Sequence, residues 1–319
     1  IPFCPTRCAY CSFVSQSIEK FGDLLAPYLD VLLREIEYTG KKLAESGWHI
    51  RTLYMGGGTP TTLSSPQMAR LLQAIQDNFD LSRCLEFTVE GGRPDTLDAE
   101  KLAVIKNGGA TRISINPQTM SDSVLHTIGR RHTAQQTIEA YQMARAAGFT
   151  DINMDIIAGL PCDMLMSFTN TMKEIIALGP TNVTVHTLAL KKGAARSWTK
   201  AQLPGWEMVR DLLSVASRSL RAAGFPDSGQ LVRRTPALRS VVLGLQPRLQ
   251  RTDAPQKRLR RPAAGGALRA LKMAVDDLRR VDGLTDAPVS GGVEDKILQP
   301  VTALFIEAQP QQRRAAVEG

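Results

Sequence analysis

The sequence predicts an α/β fold in the form of a partial (β/α)6 barrel, a curved parallel sheet with helices outside it. Two observations predict this class. Short apolar segments alternate with longer segments of helical periodicity from residue 1 to about residue 224, as is typical of parallel sheets with crossover helices. Counting a first strand that ends at Phe3 gives six strand–helix units, which suits an incomplete barrel better than a small doubly wound sheet.

Local signals place the elements in order along the chain. After the first strand, residues 23–46 carry leucines at helical spacing on one face, which predicts an amphipathic helix. Asp98 is a suitable N-cap for a later helix, and Gly148 and Gly224 follow the ends of two others. The predicted strands after the first are 50–55, 85–90, 111–115, 151–157 and 182–188. The predicted helices are 23–46, 66–79, 98–107, 134–147, 164–178 and 206–223.

The composition is that of an ordinary globular protein. The 319 residues are 43% hydrophobic and 22% charged, which excludes a disordered chain. No apolar run approaches the ~18 residues that a membrane span needs, so we expect none. No secretory leader is visible and the five cysteines are odd in number, which favours a reducing cytoplasm. Because the first residue, Ile1, is not Met, we expect the natural chain to begin upstream.

The sequence divides into a core domain over residues 1–224 and an atypical segment over residues 225–319. The second segment holds 16 basic and 10 acidic residues, so it carries most of the net charge of +8. It holds two of the 17 aromatic residues and lacks clear strand–helix alternation, although 267–281 could form a helix. We interpret it as an Arg-rich end that is disordered, degenerate or frame-shifted. Its charge would attract nucleic acid, but without interleaved aromatic residues we expect no such partner.

Three cysteines near the start of the chain carry the most specific chemistry. Cys4, Cys8 and Cys11 form a C-x3-C-x2-C pattern, and three thiols within eight residues are hard to pair as disulfides without strain. Three thiolates on one loop can hold three irons of a [4Fe–4S] cluster and leave the fourth iron open to a small molecule. The alternative is a structural zinc ion, which would need a fourth ligand; the next His or Cys is His49.

The cysteine loop, with Tyr10 just before its third cysteine, resembles the signature of the radical S-adenosylmethionine (SAM) superfamily. One strand–helix unit later, residues 56–60 read GGGTP and resemble the glycine-rich SAM-binding motif of that superfamily. Other segments are similar to the oxygen-independent coproporphyrinogen III oxidase (dehydrogenase) family and to its HemZ-like branch. These segments are 1–4, 56–61, 88–96, 112–118, 128–133 and 155–161.

This resemblance implies a TIM-like partial barrel of the radical SAM type, with a [4Fe–4S] cluster and SAM as cofactors and a tetrapyrrole as substrate. A one-electron donor such as a flavodoxin or ferredoxin would reduce the cluster, and SAM would yield a 5′-deoxyadenosyl radical. Propionate side chains of a porphyrinogen would then be oxidatively decarboxylated to vinyl groups in haem biosynthesis. Some relatives in the family traffic haem and lack the oxidase activity, so haem binding is the alternative function.

The resemblance also implies roles for individual residues. Cys4, Cys8 and Cys11 would ligate the cluster. The residues that would contact SAM are Tyr10, Gly57, Gly58, Thr59, Glu90, Gln118, Arg130, Asp155 and Ala189. The family pattern has a glycine where this chain has Cys162, which is a departure from it.

Several of these residues have a purely structural alternative. Asp155 could cap the helix after its strand, Arg130 could start a solvated helix, and Gln118 could close a turn after Pro117. The histidines and cysteines that we expect to be structural or incidental are His132, His186, Cys84 and Cys162.

Overall fold

A computed structural model describes residues 1–11, 13, 15–189, 198, 202–225, 232–233 and 304–310, and all of these fall in one compact unit. The strands are β1 Phe3–Cys4, β2 Gln16–Ser17, β3 Trp48–Met55, β4 Glu86–Glu90, β5 Arg112–Ser114, β6 Asp151–Ala158, β7 Asn182–Thr187, β8 Val232–Arg233 and β9 Leu304–Pro310. The helices are α1 Ile18–Phe21, α2 Leu25–Glu45, α3 Ser65–Asn78, α4 Ala99–Asn107, α5 Asp122–Thr127, α6 Ala134–Ala146, α7 Leu165–Leu178 and α8 Trp206–Ala222. None of the helices in these ranges is both long and apolar enough to cross a membrane.

Seven strands form one sheet in the order β8-β7-β6-β5-β4-β3-β9. Strands β3 to β7 pair in parallel, each with the next, while β8 and β9 lie antiparallel at the two edges. The connecting helices pack side by side, with α2 against α3, α3 against α4 and α7 against α8. The predicted α/β half-barrel of parallel strands and outer helices is therefore confirmed.

The first strand departs from the prediction. β1 pairs in parallel with β2 in a separate two-stranded sheet, so the large sheet has five parallel strands among the described residues rather than six. The N-terminal segment still lies against the end of β3. The amide of Gly58 donates to the carbonyl of Ile1 (2.8 Å), and the amide of Thr59 donates to the carbonyl of Phe3 (2.7 Å). Its backbone groups are therefore satisfied by the loop after β3 as well as by β2.

Five of the described elements have no counterpart in the prediction: β2, α1, α5, β8 and β9. Helix α5 has six residues, and its buried Val124 and Leu125 cover too short a stretch to show helical periodicity. Strand β9 lies in the segment where we expected no regular alternation, and it pairs antiparallel with β3. An antiparallel edge strand needs no crossover helix, so strand–helix alternation does not reveal it. The predicted helix at 267–281 lies outside the described residues, and the domain boundary at 224 stays a prediction.

The two faces of the sheet differ in chemistry. One face is apolar and buried; its residues include Phe87, Val89, Ile113, Ile152, Met154 and Val183. Because successive side chains in a strand point to opposite faces, the intervening residues lie on the other face. These are Glu86, Thr88, Glu90, Arg112, Ser114, Asp151, Asn153, Asp155, Asn182 and Thr184. Parallel sheets are usually apolar on both faces because helices cover both, so the polar face fits the interior of an open half-barrel.

Candidate functional site

The three cysteines lie on one loop that starts at the end of β1. Cys4 is the last residue of β1, and all three cysteines are free thiols, with Cys4 and Cys8 buried and Cys11 partly exposed. The amide of Cys11 donates to the carbonyl of Cys8 (3.1 Å), and the amide of Ala9 donates to the carbonyl of Ile128, just after α5 (3.0 Å). The structure thus brings together the three residues predicted as cluster ligands.

Two of the three sulfurs accept hydrogen bonds from buried side chains. The hydroxyl of Thr59 donates to Cys4 Sγ at 3.4 Å, and the guanidinium of Arg93 donates to Cys8 Sγ at 3.2 Å. Burial raises the pKa of the Cys4 thiol. Burial would also raise the pKa of Cys8, but the charges of Arg130 and Arg93, together with hydrogen bonds from Arg130 and Tyr10, lower it. Because the thiolate is the form that binds metal, this environment favours ligation by Cys8.

The two metal alternatives differ in the ligands that they need. A structural zinc ion would need a fourth ligand beside the three thiols, and within the described ranges no group of three His, Cys, Asp or Glu side chains is arranged to hold a metal ion. A [4Fe–4S] cluster would take one thiolate at each of three corner irons and needs no fourth protein ligand.

Arg130 is buried beside the same loop, so its alternative as the start of a solvated helix is wrong. Its guanidinium donates to the carbonyls of Asn116 (2.5 Å) and Gly92 (3.3 Å) and to the hydroxyl of Tyr10 (3.4 Å). Its Nε is buried and has no hydrogen-bond partner in the described part of the chain. Buried polar groups are normally paired, so this nitrogen has a donor available for a ligand.

The glycine-rich segment after β3 makes room for the N-terminal segment. A Cβ added at Gly58 would lie 2.6 Å from the carbonyl oxygen of Phe3, so only glycine fits there. Gly57 has a φ of 115°, which residues with a side chain rarely adopt. Because the amides of Gly58 and Thr59 already donate to the N-terminal segment, any SAM contact by these two residues would use other atoms.

Glu90 lies at the end of β4, next to Tyr54 and Gly56. The Tyr54 hydroxyl donates to the Glu90 carboxylate. A Cβ on Gly56 would lie 2.6 Å from the Tyr54 ring and 2.9 Å from Glu90 Oε2. Only glycine at this position therefore leaves room for the Tyr54 and Glu90 side chains. Burial raises the pKa of Glu90 from its usual 4.5 to about 7, although the hydrogen bond from Tyr54 opposes the shift. A carboxyl group here suits ribose hydroxyls or a positively charged ligand.

Gln118 and Asp155 meet where β5 and β6 run side by side. The amide of Gln118 donates to the carbonyl of Asp155 (3.0 Å), and Gln118 has a φ of 72°, a left-handed conformation that is concentrated at functional sites. Gln118 Oε1 is buried and has no hydrogen-bond partner among the residues described, so it can accept from a ligand. Asp155 lies inside β6 and accepts from Asn153 Nδ2 (2.7 Å), so its alternative as a helix cap is wrong.

Three other residues named from the sequence lie near strand ends: Ala189, Cys162 and Cys84. Ala189 is exposed, two residues after β7, and it shares the carboxyl-terminal edge of the sheet with Glu90 and Gln118. Cys162 has a φ of 64°, which explains why a glycine is expected at its position. Cys84 lies just before β4, at the opposite edge of the sheet.

The raised pKa of Glu90 predicts a pH-dependent stability. Unfolding lets this carboxyl ionise near its usual pKa of 4.5, whereas in the folded protein it ionises near 7. Ionisation of Glu90 therefore lowers the free energy of unfolding progressively as the pH rises from about 4.5 to 7. Above about pH 7 this carboxyl causes no further decrease. We expect Glu90→Gln to remove this pH dependence. The free energy of unfolding at pH 8, taken relative to its value at pH 5, should then be higher in the variant than in the unmodified protein by on the order of 1–3 kcal/mol. Urea unfolding at both pH values measures it.

The matched control for this measurement is Glu139→Gln on the exposed side of α6. It should leave the difference between the two pH values unchanged. A Glu90→Gln protein with the pH dependence of the unmodified protein would contradict a buried, hard-to-ionise carboxyl at this position.

Arg93 and Tyr54 also belong to the site, although neither was predicted from the sequence. Arg93 directly follows two glycines at the end of a predicted strand, and Tyr54 stands two positions before the glycine-rich segment. Both residues stand next to motifs that can be recognised in the sequence, but only their contacts with Cys8 and Glu90 in the structure indicate a role.

A parallel half-barrel with a three-cysteine loop beside its carboxyl-terminal strand ends is the architecture of a radical SAM protein. A profile of the radical SAM superfamily matches residues 1–175, more than half of the chain. The chain belongs to the radical SAM superfamily, whose members use a [4Fe–4S] cluster and SAM, and the predicted resemblance is confirmed.

Within the superfamily, the chain is similar to proteins named for tetrapyrrole metabolism. It is 39% identical over 228 residues to the oxygen-independent coproporphyrinogen-III oxidase-like protein HemZ of Bacillus subtilis, a match that covers 70% of this chain and 46% of HemZ. It is 34% identical over 232 residues to the heme chaperone HemW of the same organism, covering 70% of this chain and 59% of HemW. The structure of coproporphyrinogen III oxidase HemN from Escherichia coli aligns with a TM-score of 0.68 and 28% identity, over 73% of this chain and 54% of that one. The chain thus spans about half the length of the relatives it matches.

Proposed function

We propose that Cys4, Cys8 and Cys11 hold three irons of a [4Fe–4S] cluster and that SAM binds beside it at the carboxyl-terminal edge of the sheet. The observation that carries the proposal is the cysteine loop itself, with three free thiols, two of them buried and hydrogen-bonded from Thr59 and Arg93. Bound together, the two cofactors supply a radical that removes a hydrogen atom from the substrate. The protein's own residues hold the cofactors in position and keep water out.

The residues around the loop divide these tasks. Arg130 donates a hydrogen bond to Tyr10 on the loop, and its unpaired Nε is available to donate to a carboxylate or another acceptor. Glu90 offers a largely buried carboxyl to hydroxyl groups, and Gln118 offers an unpaired side-chain oxygen. The SAM contacts in this proposal are Tyr10, Gly57, Gly58, Thr59, Glu90, Gln118, Arg130, Asp155 and Ala189.

For the substrate, we favour the propionate side chains of a porphyrinogen such as coproporphyrinogen III. In each turnover one hydrogen atom leaves to the radical, the bond to the carboxylate breaks to release CO2, and one electron leaves to an acceptor, which forms a vinyl group. A one-electron donor such as a flavodoxin or ferredoxin would reduce the cluster. The likeness to HemZ and to the HemN structure supports this choice.

A second candidate function is the binding or transfer of haem without decarboxylation. It is supported by relatives named heme chaperone HemW, of which the one from Bacillus subtilis matches 70% of this chain at 34% identity. Both functions use the same cysteine loop, so the loop alone does not separate them.

The function is tested on the full chain, reconstituted with iron and sulfide and kept strictly anaerobic and reduced. We expect this protein to consume SAM and to release two molecules of CO2 per coproporphyrinogen III, measured as labelled CO2 together with methionine. Haem binding with SAM consumption but no CO2 would favour the carrier instead. Zinc in oxygen-protected protein, or no SAM consumption under any condition, would reject the radical SAM site itself.

A further inference from the structure

Arg93 is a buried cation to which the resemblance assigns no role. It follows β4 and two glycines, and only 2% of the residue is exposed. A Cβ on Gly91 would lie 3.0 Å from the carbonyl oxygen of Ser114, and Gly92 has a φ of 35°. The two glycines therefore permit a tight turn that carries the chain from the sheet edge to the cysteine loop.

Within the described ranges, the side-chain hydrogen bonds of Arg93 all go to the cysteine loop. Its guanidinium donates to Thr6 Oγ1 (2.9 Å), to the carbonyl of Thr6 (2.5 Å) and to Cys8 Sγ (3.2 Å). No carboxylate in the described ranges forms an ion pair with it. Arg112, buried to a similar depth, lies instead near Glu86 (3.4 Å) and Asp151 (3.7 Å).

A buried guanidinium is costly unless an anion pairs with it. Among the hydrogen-bond acceptors of its guanidinium, the one that can carry a negative charge is the sulfur of Cys8. We infer that Arg93 forms a charge pair with the Cys8 corner of the cluster and thereby raises the midpoint potential at which the cluster accepts an electron. This inference rests on the proposed function, which assigns the cluster to the three cysteines.

The direction of the effect follows from charge. The cluster is bound by thiolates, and reduction adds one more negative charge next to the Cys8 sulfur. A fixed cation there stabilises the reduced state more than the oxidised state, and hydrogen bonds to cluster sulfurs act in the same direction. Because Arg93 is enclosed by protein, water and salt screen its charge less than they would at the surface.

The test is a redox titration of the reconstituted full chain, followed by electron paramagnetic resonance of the reduced cluster. Arg93→Met and Arg93→Gln remove the charge, and Arg93→Lys keeps it. In the two neutral variants we expect the equilibrium constant for one-electron reduction to fall at least about tenfold, which is about 59 mV for a one-electron couple. Arg93→Lys should stay close to the unmodified protein.

The matched control is Arg112→Met, because Arg112 is also buried but its ion-pair partners lie on the sheet. It should lower the melting temperature and leave the midpoint potential unchanged. Iron and sulfide are counted in every sample whose midpoint potential is measured. A shift in the midpoint potential is then interpreted only for protein with a complete cluster.

The outcomes separate this inference from the proposed function. An unmodified protein that loads no four-iron cluster rejects the proposed function, and the inference with it. A loaded neutral variant at the original potential, or an equal shift in Arg112→Met, overturns the inference alone. If both neutral variants fail to load while Arg93→Lys loads, the charge itself is required beside the cluster, which supports the inference. If all three fail while Arg112→Met loads, Arg93 has only a structural role and the inference is overturned.

Discussion

Substitution of Cys8 by alanine is expected to abolish the brown absorbance of the reconstituted protein and to reduce SAM cleavage to background. Only three thiols are available on the loop, and Cys8 is the one whose pKa is lowered by neighbouring arginines. Without it, one corner iron has no protein ligand and Arg93 is left buried without its sulfur partner. Visible absorption, iron and sulfide content, and methionine released from SAM measure the effect after anaerobic reconstitution.

Cys84→Ala is the matched control for this substitution. Cys84 lies just before β4 at the amino-terminal edge of the sheet, and its thiol donates to the carbonyl of Glu86 at 3.4 Å. We expect this variant to keep the full iron content and SAM cleavage. Equal iron in the Cys8 and Cys84 variants would show that the ligand assignment is wrong.

Gly58→Ala is expected to destabilise the protein and to sharply reduce cluster loading, although no ligand is changed. The added methyl carbon would lie 2.6 Å from the carbonyl oxygen of Phe3 and 2.9 Å from that of Ile1, and both are backbone atoms that cannot rotate away. Overpacking of this kind costs about 1–3 kcal/mol. The segment that must move carries Cys4, so the loss of stability and the loss of iron should appear together in urea unfolding and in iron counts.

Gly22→Ala provides the matched comparison, because nothing lies within 4 Å of a Cβ added there and its φ of −64° is ordinary for alanine. It should change the free energy of unfolding by less than about 1 kcal/mol and leave the iron content unchanged. If Gly58→Ala behaved like Gly22→Ala, the close approach of the N-terminal segment to the loop after β3 would be incorrect.

Both predictions concern the same structural connection. The N-terminal segment that bears Cys4 is hydrogen-bonded to the glycine-rich loop after β3, and Arg93 after β4 is hydrogen-bonded to the loop that bears Cys8. The ends of two neighbouring strands therefore hold the cysteine loop from two sides. The glycines and the cysteines, about fifty residues apart in the chain, are thereby brought together in the fold.

The core elements of the fold were predictable because each has a local signal. The strands at residues 50–55 and 85–90 overlap β3 and β4 almost completely, since a short apolar segment between turn residues is a strong signal. Helix α5 was missed because six residues are too few to show a period. The placement of β1 outside the large sheet was missed because strand pairing depends on residues that are distant in sequence.

The candidate site was predictable to a different degree. The cysteine spacing indicates a metal centre without any structure, and the resemblance points to Glu90, Gln118 and Asp155. A feature that went unpredicted is that these polar residues belong to, or border, a polar face that runs across the parallel strands. The alternation of polar and apolar residues along β4 and β6 was present in the sequence, and it is the signal that would have indicated an open interior.

The amino-acid sequence by itself determined the alternation of strands and helices, the group of three thiols and the flexible glycine segment, because each depends on residues that are neighbours in the chain. Only the tertiary structure decided that Arg93 meets Cys8, 85 positions away, and that Tyr54 meets Glu90, 36 positions away. A buried donor must find an acceptor, but local sequence does not specify which one. That choice is made when the sheet assembles and brings distant strand ends to the same edge.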